Sequence, residues 1–273
     1  MSTDATEGRA AARDVRRDAA HSHYGRVHVV PTREIVGSSG WLAEALYRAA
    51  EVVAAAIGFL LTLPIMLIAA ILVRLDSPGP ILFRHRRPAR SVLRYGRSLS
   101  GRADLIPPPG GFQPDVLYLV PSYFTLIKFR TMYADSRTRF PELYRYSFTA
   151  ENFHNQFPTP HPDPRVTRVG RVLRKLSVDE LPNLWSVVVG DIRLVGPRPE
   201  APEVLQYYTP EEMYKLACKP GISGLAQING RGLLTWGQTL AWDLEYVRTR
   251  SVYLDLKIIL LTLLKVVTRS GAF

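Results

Sequence analysis

Two adjacent carboxylates, Asp179 and Glu180, stand among cations at Arg174, Arg193 and Arg198 in the stretch RKLSVDELPNLWSVVVGDIRLVGPRPE. Like charges side by side repel, so a fold that keeps both ionised must offset them with cations or a metal. Carboxylates ringed by arginines outline a site for phosphate esters with a divalent ion. Pro182 and the Pro197-Arg198-Pro199 triplet stiffen the backbone around them. The same spacing also reads as an ordinary helix start, with Ser177 as N-cap, Glu180 at N3 of a capping box and Pro182 in the first turn. The two readings are compatible, because a helix N-terminus favours anions.

The elements that must position this stretch are legible in part. Residues 123–132 (YFTLIKFRTM) have strand patterning, which puts Lys128 and Arg130 on one face as candidate phosphate ligands. Asp191 follows Gly190 and is a secondary candidate for orienting an arginine. A glycine-punctuated turn at 219–224 leads to Gln227, Asn229 and Arg231, whose side chains either reach a ligand or cap the turn. The six histidines are scattered, and Cys218 reads as a packing residue.

The 273 residues carry a formal charge of +11 and are 47% hydrophobic, enough for a sizeable core and a polyanionic partner. A single cysteine excludes an internal disulfide framework, and no paired Cys/His spacing suits structural zinc. The polar, Arg-rich N-terminus has no signal-peptide pattern. Residues 1–39 read as a basic, disordered tail against anionic lipid. Residues 40–76 form a membrane helix, and 52–73 is an uncharged run long enough to cross a bilayer. Pro64 near its middle and arginines on both flanks leave two forms open, a kinked span or a re-entrant helix. Residues 77–273 form the domain that follows, with an irregular, solvated insertion at about 88–122. Residues 253–267 fit an interfacial amphipathic helix or a core helix.

Six motifs in order then carry a resemblance: PILFR at 80–84, KFRTM at 128–132, DPRVTRVGRVLRKLSVDELPNLW at 163–185, GDIRLVGPRPE at 190–200, KPGISGLAQINGR at 219–231 and YLDLKIILLTLLKVV at 253–267. Together they resemble the bacterial sugar transferases, the monotopic polyprenyl-phosphate phosphoglycosyltransferases, from about Arg48 to the C-terminus. The resemblance implies a helix-rich α/β catalytic domain on the cytoplasmic face of the bacterial inner membrane. It implies transfer of a sugar-1-phosphate from a UDP-sugar to undecaprenyl phosphate, with UMP released. Asp179 falls on the nucleophile that carries the phosphosugar, and Glu180 on its partner in holding Mg2+. Lys128, Arg174 and Arg198 fall on positions that hold the diphosphate. A re-entrant helix broken at Pro64 is also implied. This chain has Leu63 where the family has serine, and Thr62 is the substitute hydroxyl for a freed carbonyl.

The partners so implied are a UDP-sugar donor, a polyprenyl phosphate acceptor and inner-membrane lipid, with homo-oligomers admitted. Nucleic acid is excluded by dispersed arginines and the absence of a DNA-binding motif. The competing class is a membrane-tethered scaffold, which accounts for the charge and the apolar helix but gives the Asp179-Glu180 pair no purpose.

Overall fold

The computed structural model describes residues 25–32, 41–144, 148–149, 151–157, 162–230 and 233–268. Its longest element is helix α1, Trp41–Asp76. Alanine, leucine and isoleucine dominate its sequence, and Glu44 and Arg74 suit its two dipole ends. It is long and apolar enough to cross a membrane, with only 17% of its apolar window buried. The buried stripe is narrow: Ala55, Met66, Ala69 and Val73 face the protein. Leu60, Leu61, Leu67, Ile68, Ile71 and Leu75 stand exposed, more contiguous apolar surface than a soluble monomer tolerates. The chain is therefore a mixed helix and strand protein built for membrane association.

The expected break at Pro64 is not seen: α1 continues through it as one helix. Proline removes one N–H and so one intrahelical bond, which can kink a helix without ending it. Thr62 was expected to cap a carbonyl freed by the break. Its Oγ1 instead donates to Gly58 O at 2.7 Å and Phe59 O at 3.2 Å, ordinary back-bonding within the turn.

Both ends of α1 are tied to the same body. Near its start, Glu51 accepts the Leu194 N–H, and Glu44 pairs with Arg193 at 2.7 Å and Arg250 at 2.8 Å. At its finish, Asp76 accepts the Val169 N–H at 3.2 Å, and Arg130 clamps the turn that follows.

That turn leads into strand β3 (Leu82–Pro88), which pairs antiparallel with β7 (Tyr123–Phe129). Next come helices α2 (Ser136–Arg139), α3 (Arg168–Lys175) and α4 (Asn183–Val188), with a 3-10 turn Val178–Glu180 between the last two. Strand β8 (Arg193–Val195) pairs parallel with β9 (Gly221–Ser223). Helices α5 (Leu225–Gly230), α6 (Trp236–Thr249) and α7 (Val252–Thr268) follow. Helix α7 turns Asp255 and Ile258 inward but leaves Leu256, Leu260, Leu263 and Leu264 exposed, so its outer face is apolar as well. An outward apolar face is what an interfacial helix needs.

Two sequence expectations are corrected here. The region 88–122 is not a solvated loop: it contains β4 (Val92–Tyr95), β5 (Leu105–Ile106) and β6 (Leu117–Val120). Nor is all of 1–39 a disordered tail, because β1 (Val27–His28) pairs with β5 and β2 (Val30–Pro31) with β6. Val27, Val29, Val30, Leu99, Leu105 and Tyr118 join Phe153, Tyr208 and Trp236 in one buried cluster. Burial of that much apolar surface outweighs the glycines, prolines and arginines that made both segments read as irregular. The remainder of 1–39 lies outside the described residues.

Candidate active site

The carboxylate pair is set in place by a sharp reversal. Helix α3 starts at an N-cap, Thr167, whose hydroxyl accepts the Gly170 N–H at 3.0 Å. Gly170 presses on the β7 continuation: a Cβ there would lie 2.1 Å from Thr131 O, so only glycine lets the helix sit this close. The helix ends at Leu176, and Ser177 then takes a left-handed conformation with φ 58° and ψ 18°. It is the one non-glycine residue with positive φ among the described residues. The Ser177 N–H donates to Arg174 O at 3.1 Å, closing α3 as a left-handed terminator does. Ser177 is thus a helix stop and not the N-cap its spacing suggested; it makes no capping bond, and α4 begins only at Asn183. Strain of about 1–3 kcal/mol at such a residue is a recurrent mark of functional turns.

Asp179 and Glu180 occupy the single 3-10 turn that follows, with Asp179 only 5% exposed. They form part of the wall of a cavity of about 670 Å³, whose lining also includes Lys128, Arg174, Arg198 and Asn183. Arg174 donates from Nε to Thr131 Oγ1 at 2.9 Å, which aims its remaining nitrogens, one of them 3.9 Å from Asp163. Arg198 Nη1 stands 3.7 Å from Glu180 Oε1. Asn183 Oδ1 accepts the Ile127 N–H at 3.3 Å, fixing the turn against β7.

The electrostatics are those of an anion site waiting for charge. Burial pushes the Lys128 ammonium down to about 8, against the opposing pull of Asp179 and Glu180 and with help from Arg87 and Arg198. Burial also lowers Arg174, with Asp179 and Asp163 resisting. For Arg198 burial works against the charge, but Glu180, Glu200 and Asp179 outweigh it and hold the guanidinium firmly protonated. Behind the Pro-Arg-Pro turn lies a buried cluster: Lys215 Nζ is 2.8 Å from Asp243 and 3.8 Å from Glu200. Desolvation raises Asp243 to about 6 even beside Lys215.

The structure gathers most of the sequence candidates and separates others. Asp179, Glu180, Lys128, Arg174, Arg198 and Gln227 all line the cavity. Arg130 touches its edge but is spent elsewhere: it donates to Ser77 Oγ at 2.5 Å, Ser77 O at 2.7 Å and Pro80 O at 2.6 Å. It is a clamp on the α1 turn and not a phosphate ligand. Asp191 is exposed and off the cavity lining, and Asn229 donates back to Leu225 O at 2.9 Å as a turn cap. Arg231 lies outside the described residues. Sequence reasoning missed Thr131, Asn183, Arg87, Arg137 and Arg165 on the lining, and the Lys215–Asp243–Glu200 cluster behind it. Thr131, Arg165, Asn183 and Glu200 stand inside the motifs with no role assigned to them, whereas Arg87, Arg137, Lys215 and Asp243 stand in no pattern that separates them from surface residues of their kind.

Among the described residues no group of three or more His, Cys, Asp or Glu gathers as a metal cage. Asp179 and Glu180 nevertheless fit magnesium, which is held by one or two carboxylates with substrate phosphates and water supplying the remaining oxygens.

The family model for bacterial sugar transferase matches residues 42–96 and 119–269, and the chain belongs to that family. The unmatched residues 97–118 lie in the middle of the added β-structure. The chain is similar to the undecaprenyl-phosphate glucose phosphotransferase of Komagataeibacter xylinus, 34% identical over 237 residues, covering 83% of this chain and 36% of that protein. It is 36% identical over 234 residues to the UDP-glucose:undecaprenyl-phosphate glucose-1-phosphate transferase of Caulobacter vibrioides, covering 83% and 71%. It is 31% identical over 226 residues to the exopolysaccharide production protein ExoY of Rhizobium meliloti, covering 83% and 87%. The chain thus spans little more than a third of the Komagataeibacter relative but most of the other two.

Proposed function

We propose that the protein transfers a sugar-1-phosphate from a UDP-sugar to undecaprenyl phosphate, as a first membrane step of exopolysaccharide or related glycan synthesis. The observation that carries this reading is Asp179, nine-tenths enclosed on a cavity wall beside Lys128, Arg174 and Arg198. An Asp179 oxygen attacks the phosphorus that bears the sugar. The bond from that phosphorus to the bridging oxygen breaks, and UMP leaves with the oxygen. The acceptor's phosphate oxygen then attacks the phosphosugar on Asp179, breaking the aspartyl P–O bond, freeing the carboxylate and forming the lipid diphosphate sugar. A carboxylate attacks a polyanion slowly unless cations first neutralise it. Lys128, Arg174 and Arg198 supply that neutralisation, and Arg198 is held on a proline-stiffened turn. Asp179 and Glu180 would hold magnesium, which would supply charge stabilisation to the diphosphate. A glucose-type donor is favoured by the activities for which the Komagataeibacter and Caulobacter proteins are named.

The same reading makes α1 re-entrant, with a bend at Pro64 inside the continuous helix in place of the expected break. Both its ends are fastened to one body, so both belong on one side of the bilayer, the cytoplasmic side of the inner membrane, while its exposed apolar middle enters the lipid.

Protein reconstituted in nanodiscs with undecaprenyl phosphate, magnesium and a panel of UDP-sugars should release UMP with one donor, and Asp179→Asn should not. Folded, membrane-bound wild type that releases UMP with none of them would overturn the reading and favour a scaffold.

A further inference from the structure

Resting on that transfer reaction, we propose that Phe83, with Leu82 and Pro80 beside it, forms the exit over which the hydrocarbon chain of the lipid acceptor leaves the cavity for the membrane. The site takes an apolar polyprenyl chain attached to a phosphate.

Strand β3 carries a gradient. Leu82, Phe83 and Arg84 are exposed, His85 to Arg87 are partly covered, and Pro88 is buried, so the strand runs from an open rim into the protein. Alternation puts Phe83, His85 and Arg87 on one face, about 7 Å apart in turn, and all three line the cavity. Along β3 itself this face therefore runs from the Phe83 ring at the rim to Arg87 inside.

Register fixes where the rim lies relative to the chemistry. Phe83 pairs directly across the ladder with Lys128. Paired side chains on one face stand about 5 Å apart at Cβ. Lys128 in turn feels the Asp179 and Glu180 charges. A phosphate at Lys128 therefore has the Phe83 ring as its apolar neighbour. The ring lies 5.7 Å from the His85 imidazole at 20°, a stacked contact that holds it upright on the strand.

The outward path is apolar too. Phe83 is 39% and Leu82 37% exposed, and a five-residue turn, Ser77 to Ile81, joins β3 to the last two turns of α1, where Leu72 and Leu75 are also exposed. An isolated exposed phenylalanine would mean little. Here it continues the apolar face of the membrane helix to within one residue pair of Lys128. A chain leaving over this rim meets Phe83 and Leu82 and then the exposed leucines of α1, while its phosphate stays among the cations.

The test compares Michaelis constants for both substrates in nanodisc-reconstituted full-length protein. Phe83→Ala should raise KM for undecaprenyl phosphate about tenfold, equivalent to about 1.4 kcal/mol, with the donor KM moving less than about twofold. Phe83→Leu, which keeps the apolar surface, should restore most of the acceptor affinity. Geranyl phosphate, whose chain is too short to follow the rim outward, should show a smaller change than the long lipid. An unchanged acceptor KM in Phe83→Ala would overturn the proposal. So would an equal or larger rise in the donor KM, which would place the uridine base on the ring. Wild type that makes UMP while these variants behave so would leave the transfer reaction standing; wild type that makes none fails at that earlier step.

Discussion

Glu51 Oε1 accepts the Leu194 N–H at 2.6 Å, joining the membrane helix to strand β8 across 143 residues. The carboxylate is 1% exposed and also meets Arg48 at 2.7 Å and Arg193 at 3.4 Å. Strand β8 runs straight into the Pro197-Arg198-Pro199 turn, so the seating of the helix and of the phosphate-binding arginine are one problem.

Removing this carboxylate takes one partner from the buried Arg193 and one from Arg48, whose side chain is 24% exposed. Glu51→Ala should destabilise the fold by about 3–5 kcal/mol, and Glu51→Gln, which keeps an acceptor for Leu194, by less. Thermal unfolding in detergent against wild type checks both.

Lys128 is held at about 8, so its charge is lost within an accessible pH range. The donor KM should rise as pH climbs from 7 to 9, and Lys128→Arg, charged throughout, should flatten that rise. The stability sign runs the other way. The unfolded lysine, near 10.5, holds its proton longer than the folded one, so this group's contribution to stability grows between about 8 and 10.5.

Asp179→Asn should lower turnover more than about 1,000-fold, because the attacking oxygen anion is gone. A phosphosugar adduct trapped on the wild type should be absent from this variant. Glu180→Gln should leave a trace of activity with an increased magnesium requirement, and EDTA should stop the wild type reversibly. UMP release and intact-protein mass report all of these.

Ser177 holds a left-handed backbone two residues before Asp179. Ser177→Gly should preserve activity and stability, since glycine adopts this conformation without strain. Ser177→Val should cost about 1–3 kcal/mol and reduce kcat, because a β-branched side chain resists positive φ and shifts the turn. Melting curves and kcat of the pair separate the backbone effect from the loss of the hydroxyl.

What the sequence revealed was what chemistry writes locally. Asp179-Glu180, Lys128 and the Pro-Arg-Pro turn are short patterns, and the cavity brings them together. Arg130 misled because the strand stops one residue short of it. β7 ends at Phe129, alternation lapses there, and the guanidinium swings to the α1 turn. The strands formed by 25–32 and 88–122 were illegible for a different reason. Val27 pairs with Leu105 and Val30 with Leu119, so each two-residue strand exists only by virtue of a distant partner. Lys215 looks like any surface lysine until Asp243 is folded against it.

The two-ended fastening of α1 also sets a schedule for synthesis. Leu194, the partner of Glu51, emerges 143 residues later, about 7–30 s at ordinary elongation rates. Through that interval the nascent chain owns its membrane address while an acid inside it still lacks its final neighbours. The helix must wait shallow, where water can reach Glu44 and Glu51, and it seats fully only when Arg193, Leu194 and Arg250 arrive. A chain interrupted before that point would be anchored yet lack the Arg198 turn, so membrane attachment and catalytic competence are separated in time by the order of the residues themselves.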